Sequence, residues 1–147
     1  MTNSTIIKSL FNWFLNCDVI NPDGDINVEY LGEDAEQYCI EVVPCKPILK
    51  QYADGSAKCQ YLFIFASREL YSEDEQLNMA NYEFYEELEE WIAEQNINQK
   101  LPKLPDNCTA QSVTVLSSGY VADNDTKTAR YQIQCQLKYV KTNTEVI

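Results

Sequence analysis

Carboxylates are the residues of this 147-residue chain whose number and spacing could do chemistry. Glu83, Glu86, Glu87, Glu90 and Glu94 recur at three- and four-residue intervals, so a helix would hold them close together on its surface. Such a group could gather a divalent cation. Two carboxylates facing across a cleft in unlike surroundings could also act as acid and base on a glycosidic bond. A row along one wet helix face offers neither opposed positions nor unlike surroundings, so it reads as a solvated charged surface. A small metal-dependent enzyme using these glutamates is the catalytic alternative. Arg68-Glu69 could be an active-site pair, but such a pair more often closes a strand end or bridges subunits. The DNDTKT run at 123–128 resembles a calcium loop only superficially, since it lacks the glycine and the closing glutamate.

Other chemistries lack their residues. The chain has no histidine, which removes the commonest general base and metal ligand. Ser-His and Cys-His nucleophilic sites are therefore impossible in their usual form. With four glycines, neither a phosphate-cradling loop nor a dinucleotide fingerprint can be assembled. The six cysteines form no CxxC pair, so no zinc site is expected, and they read as reduced, mostly buried small hydrophobes. No catalytic residue, metal or cofactor is expected.

The elements that would carry these residues follow from hydrophobic period. Ile6, Leu10, Trp13 and Phe14 predict a helix near 4–16, capped by Asn3 or Ser4. Its large apolar residues are expected to face the core, or in part a partner subunit. NPDG at 21–24 is a turn, and strands follow around Ile26–Tyr30 and over Gln37–Val43, the second ended by Pro44 and Pro47. Residues 44–56 are ambiguous and could hold an irregular edge strand. Strand 57–67 is apolar at every position from Tyr61 to Phe65, which predicts burial on both faces at the centre of a sheet.

Ser72 and Glu75 have capping-box spacing and open a second helix running to about Asn96. Phe84, Tyr85, Leu88, Trp91 and Ile92 form its apolar stripe. From Ser72 to Asn98 there are nine acidic residues and no basic one. Two closing strands are expected, around 110–121 and over 130–139. In the last, Tyr131, Ile133, Cys135, Leu137 and Tyr139 alternate with Arg130, Gln132, Gln134, Gln136 and Lys138. That pattern means one buried face and one wet or subunit-facing face. The tail after Val140 is expected to be loose. The fold class is a single α+β domain in the order α-β-β-β-α-β-β, with two helices on a mainly antiparallel sheet of about five strands.

A net charge of −12 argues against a nucleic-acid binder and against docking on anionic lipid. It suits a surface past which DNA slides without sticking. No apolar stretch approaches the roughly 18 residues of a membrane span. The N-terminal segment lacks the basic flank and small-residue site of a signal peptide, and is expected to be a helix.

The segments INVEYLGEDAEQYCIEVVP, QYLFIFASRELY, NYEFYEELEEWIAEQN, LPKLP and SSGYVADNDTKTARYQIQCQLKY together resemble a family of small proteins from phages and prophages of Gram-positive bacteria, labelled minor capsid or minor tail proteins. The resemblance runs from about residue 6 to 140. The element order is also similar to that of tail terminator proteins of long-tailed phages. The resemblance implies an α+β fold that assembles as a hexameric ring, caps the tail tube and meets the head connector. Its partners would be copies of itself, the tail tube protein and the connector. DNA would pass through without sequence-specific binding, and no membrane is involved. The location implied is the virion, at the tail or head-tail junction, after assembly in the bacterial cytoplasm.

A head-side adaptor or minor capsid component is the alternative within the same structural class. Subunit contacts are expected at strand edges, in the 44–58 segment and in the 121–128 turn. The candidate residues are Lys46, Ile48, Tyr52, Asp54, Lys58, Arg68, Glu69, Asp123, Asn124, Arg130, Gln132, Gln134 and Gln136. The face carrying Glu83, Glu86, Glu87, Glu90 and Glu94 is expected to border the lumen or to face solvent.

Overall fold

The structure is a computed structural model that describes residues 5–20, 24–32, 35, 37–71, 74–105, 107–124 and 127–142, with the side chains of 122–124 excluded. Its order is α1 (Ile6–Phe14), β1 (Ile26–Val28), β2 (Gln37–Val43), β3 (Ile48–Gln51), β4 (Ala57–Leu70), α2 (Glu75–Ile97), β5 (Cys108–Asn124) and β6 (Thr128–Lys141). The α+β class holds. The sheet has six strands rather than about five, in the order β1-β2-β4-β6-β5, with β3 also on β4. It is mixed, because β1 runs parallel to β2 while every other pairing is antiparallel. Alternation along β1 could reveal a strand but not its partner or direction. Glu29, at φ 60, turns the chain out of β1 just before the connection that brings β2 alongside in parallel.

The additional strand lies in the ambiguous segment. β2 pairs with Leu62–Arg68 and β3 with Ala57–Cys59, so the two lie end to end along the same edge of β4. Pro44 and Pro47 interrupt this edge. The carbonyl of Pro47 still accepts the Gln60 N–H at 2.8 Å, which keeps the interrupted edge on the sheet.

Thr5 caps α1 by accepting the Lys8 N–H at 3.3 Å, and the expected Asn3 and Ser4 lie outside the described residues. Asp74 caps α2 through the Gln76 N–H at 2.9 Å, and Ser72 lies outside the described residues. Residues 21–23 of the NPDG turn and 125–126 of the 121–128 turn also lie outside them. The C-terminal strand continues past Val140. Lys141 pairs with Ala57 and Cys108, and the Thr142 N–H donates to the Asn107 carbonyl at 2.8 Å. Residues 143–147 of the expected loose tail lie outside the described set.

Both helices pack on one face of the sheet. Phe14 meets Phe63 and Phe65 with ring centroids 6.0 and 4.9 Å away, and Trp13 meets Trp91 at 4.8 Å. Tyr85, Leu88, Trp91 and Ile92 of α2 join Tyr131, Ile133, Cys135 and Leu137 of β6 in this core. The expected stripe of α2 is buried as read, with Asn81 added and Phe84 at its margin. A buried polar lock sets the register. The Tyr85 hydroxyl lies 2.7 Å from Ser67 Oγ and donates to the Tyr131 carbonyl at 3.0 Å, while Asn81 Nδ2 donates to the Leu70 carbonyl at 2.8 Å. Ser67, Asn81 and Tyr85 thus each have a partner in this core, which keeps their burial from costing the several kcal/mol, roughly 2–7, of an unpaired group.

Candidate functional site

Alternation sends the even-numbered residues of β4 and β6 away from the helices. Leu62, Ile64, Arg130, Gln134, Gln136 and Lys138 on that side are only partly buried. The expectation that Tyr61–Phe65 is buried on both faces therefore holds on one face alone. Leu62 and Ile64 belong to an open sheet face that neither helix covers.

A polar network crosses this face. Arg130 on β6 reaches over β4 to Glu41 on β2, donating Nη2 to Oε1 at 2.6 Å and Nη1 to Oε2 at 3.1 Å. The side chains retain 18% and 26% of their exposure, so this fork is shielded more than a surface pair. Arg130 Nε donates to Gln132 Oε1 at 2.9 Å, and Gln132 Nε2 donates to the Tyr120 hydroxyl at 2.7 Å. Gln136 Nε2 donates to Gln60 Oε1, and Gln60 Nε2 to the Lys46 carbonyl, both at 2.8 Å. The Gln134 N–H donates to Ser117 Oγ at 3.3 Å. The side-chain bonds hold Gln132 and Gln136 in fixed positions, whereas the Gln134 contact is made by its backbone.

The candidate interface residues divide between this face and the β3 hairpin. Lys58, Arg68, Arg130, Gln132, Gln134 and Gln136 lie on the open face by register. Arg68 and Glu69 do not share a face, because Glu69 stands opposite the buried Ala129 on the helix side. Arg68 Nε donates to the Gly32 carbonyl at 3.4 Å. Lys46, Ile48, Tyr52 and Asp54 are exposed around the hairpin, with Ile48 and Tyr52 at 39% and 40%. Asp54 closes the hairpin turn, accepting from Ser56 N at 2.9 Å and Ser56 Oγ at 2.6 Å, which holds its carboxyl below the usual range. Asp123 and Asn124 stand opposite Arg130 and Ala129 in the β5–β6 ladder.

Glu83, Glu86, Glu87, Glu90 and Glu94 are all exposed on the outer surface of α2. Of the five only Glu94 lines a groove, together with Asp18, and among the described residues no cluster of three acidic or cysteine side chains could hold a metal ion. Burial raises the Cys17 and Cys39 thiols to about 11, and it raises those of Cys108 and Cys135 as well. A thiol held protonated in this way is a poor nucleophile. A groove of about 890 Å³ lies between α1 and the end of α2, lined by Asn12, Trp13, Asn16, Trp91, Glu94 and Lys100 among others. Its two indoles pack on each other, and Trp13 Nε1 donates to the Lys100 carbonyl at 2.9 Å, so they serve the core.

Four partners were not legible in the sequence. Glu41 and Tyr120 join the Arg130 network from strands that only the strand order brings near. Asn96 takes both backbone groups of Val113 on the outer edge of β5, accepting its N–H at 2.9 Å and donating to its carbonyl at 2.7 Å. The Gly119 N–H on the same strand donates to Glu89 Oε2 at 3.3 Å. Two positions on the edge of β5 are thus occupied by α2, as natural sheets commonly guard an edge. Among the described residues no helix is long and apolar enough to cross a membrane. No family model matches the chain, and no curated protein matches it in sequence.

Proposed function

We propose that this chain is a structural virion protein of the tail-terminator type, forming a ring that caps a phage tail tube and joins it to the head connector. The observation that carries this reading is the open sheet face. Leu62 and Ile64 stand there among fixed glutamines and arginines, on the side that neither helix covers. Solvent gains nothing from an apolar run at the middle of a sheet, whereas a neighbouring subunit does. The resemblance of the five quoted segments to phage minor tail proteins supplies the kind of assembly. The role is binding rather than catalysis, and it fits raised thiols and an unopposed carboxylate row.

A heterologous contact repeated around an axis closes a ring, and a ring has two chemically different rims for tube and connector. The test is assembly with purified tail tube protein. Added chain should shorten the tubes and narrow their length distribution, with its own density at one tube end. Tubes of unchanged length with bare ends would end this reading.

A further inference from the structure

Charge in this protein is segregated between its two layers. The sequence from Ser72 to Asn98 holds nine acidic residues and no basic one, and its Glu83, Glu86, Glu87, Glu90 and Glu94 point to solvent. The open sheet face carries the opposite sign. Its described charged side chains are Lys50, Lys58, Lys138, Arg68 and Arg130 against Glu41, with Glu29 held at the β2 edge by the Val42 N–H. Glu41 is committed to Arg130.

At the other end of the face, Lys50 stands directly opposite Lys58, Lys58 opposite Val140, and Gln60 opposite Lys138. Among the described residues none of these three ammonium groups makes an ion pair, although Lys50 lies 5.4 Å from the Tyr52 ring. Like charges directly across a ladder are destabilising, so Lys50 and Lys58 cost stability within one copy that a complex with an acidic surface would recover.

The geometry points to a second copy of this chain as the occupant, with the basic end of one open sheet face seated on the acidic outer face of the next copy's α2. The spans match. Three adjacent strands about 4.8 Å apart spread the lysines over roughly 10 Å. Glu83, Glu87 and Glu90 lie along roughly 10 Å of helix at 1.5 Å per residue. The two surfaces occupy opposite layers of the molecule and differ from each other, so the contact is heterologous and propagates in one direction. This inference rests on the ring reading and names the surfaces that would build the ring.

Charge exchange tests it. One variant carries Lys50→Glu, Lys58→Glu and Lys138→Glu, and the other carries Glu83→Lys, Glu87→Lys and Glu90→Lys. From a net charge of −12, either triple reversal leaves the chain net negative, so bulk attraction cannot bring the two variants together. Sedimentation at about 50 mM salt should show each variant associating at least about tenfold more weakly than the wild type, with association restored in their equimolar mixture and in the six-fold variant.

Melting curves establish that each variant is folded. If the chain assembles only on tube ends, the same samples are read by end occupancy. Single-face variants that associate as the wild type does, or a mixture that stays dissociated, would overturn the contact. So would a Lys variant that loses only retention of double-stranded DNA in a gel, which would assign the lysines to nucleic acid. Equal capping by all variants would sink this contact and leave the tail reading intact. Wild-type association without capping would do the reverse.

Discussion

Gly119 is a glycine because of space. It lies on β5 where the strand passes the middle of α2, and a Cβ built there would come within 2.5 Å of Tyr85 Cβ and 2.7 Å of Tyr85 Cγ. Real Cβ contacts stay beyond 3.0 Å. Tyr85 cannot swing aside, because it is fully buried and its hydroxyl is tied to Ser67 and to the Tyr131 carbonyl. In Gly119→Ala the backbones of β5 and α2 must therefore part by several tenths of an ångström, which also loosens the Gly119 N–H to Glu89 bond. Overpacking of this kind costs about 1–3 kcal/mol. Unfolding entropy near 2.1 cal/mol/K per residue gives about 0.3 kcal/mol/K for a chain of this length, so Tm should fall by about 3–10 °C. Circular dichroism melts and urea titration would measure it, with the exposed neighbour Ser118→Ala expected within about 0.5 kcal/mol of wild type as a control. A Gly119→Ala protein melting within about 1 °C of wild type would refute the close-approach account.

Asn96→Ala strips the side-chain partners from both backbone groups of Val113. It should destabilise by about 1–3 kcal/mol in urea titration and make the protein more prone to aggregate through the reopened edge of β5, as light scattering would read. An unchanged midpoint would mean that water replaces the amide without cost. Stability should also decline in alkali. Burial holds the Cys17 and Cys39 thiols at about 11 in the folded chain against 9.0 ordinarily, and it holds the Tyr85 hydroxyl well above 10.0. The unfolded chain releases these protons first. Their contribution is therefore complete below pH 9 and is lost progressively as pH rises toward 11, with Tyr85 extending the loss above pH 10. Urea midpoints that stay flat between pH 8 and pH 11 would contradict this.

Local patterns carried much of this fold. The 3.6-residue period around Leu10 and Phe14 and around Tyr85, Leu88 and Ile92 located both helices and their buried stripes. The strict alternation of Tyr131–Tyr139 identified the two-faced strand β6. What alternation cannot encode is which strand lies beside which. The parallel pairing of β1, the end-to-end placement of β2 and β3, and the reach of Arg130 to Glu41 all follow from strand order, which distant parts of the chain decide together.

The apolar run Tyr61–Phe65 has the composition of a central strand buried on both faces. The second cover is absent from a single chain, and this mismatch between composition and burial is the feature an assembly would resolve. The glutamate row on α2 is legible as an exposed face of the single chain because a 3.6-residue period with no basic residue leaves nothing within it to pair the carboxylates.

In the proposed ring the open sheet face makes the contact between subunits at the end of a tail tube. Electron microscopy of tubes assembled from purified tail tube protein in the presence of this chain tests that most directly. The account predicts a closed ring of this chain at one end of each tube, with the faces bearing Leu62 and Ile64 covered by neighbouring subunits. Tube ends without that ring, or subunits bound with those faces open to solvent, would contradict it.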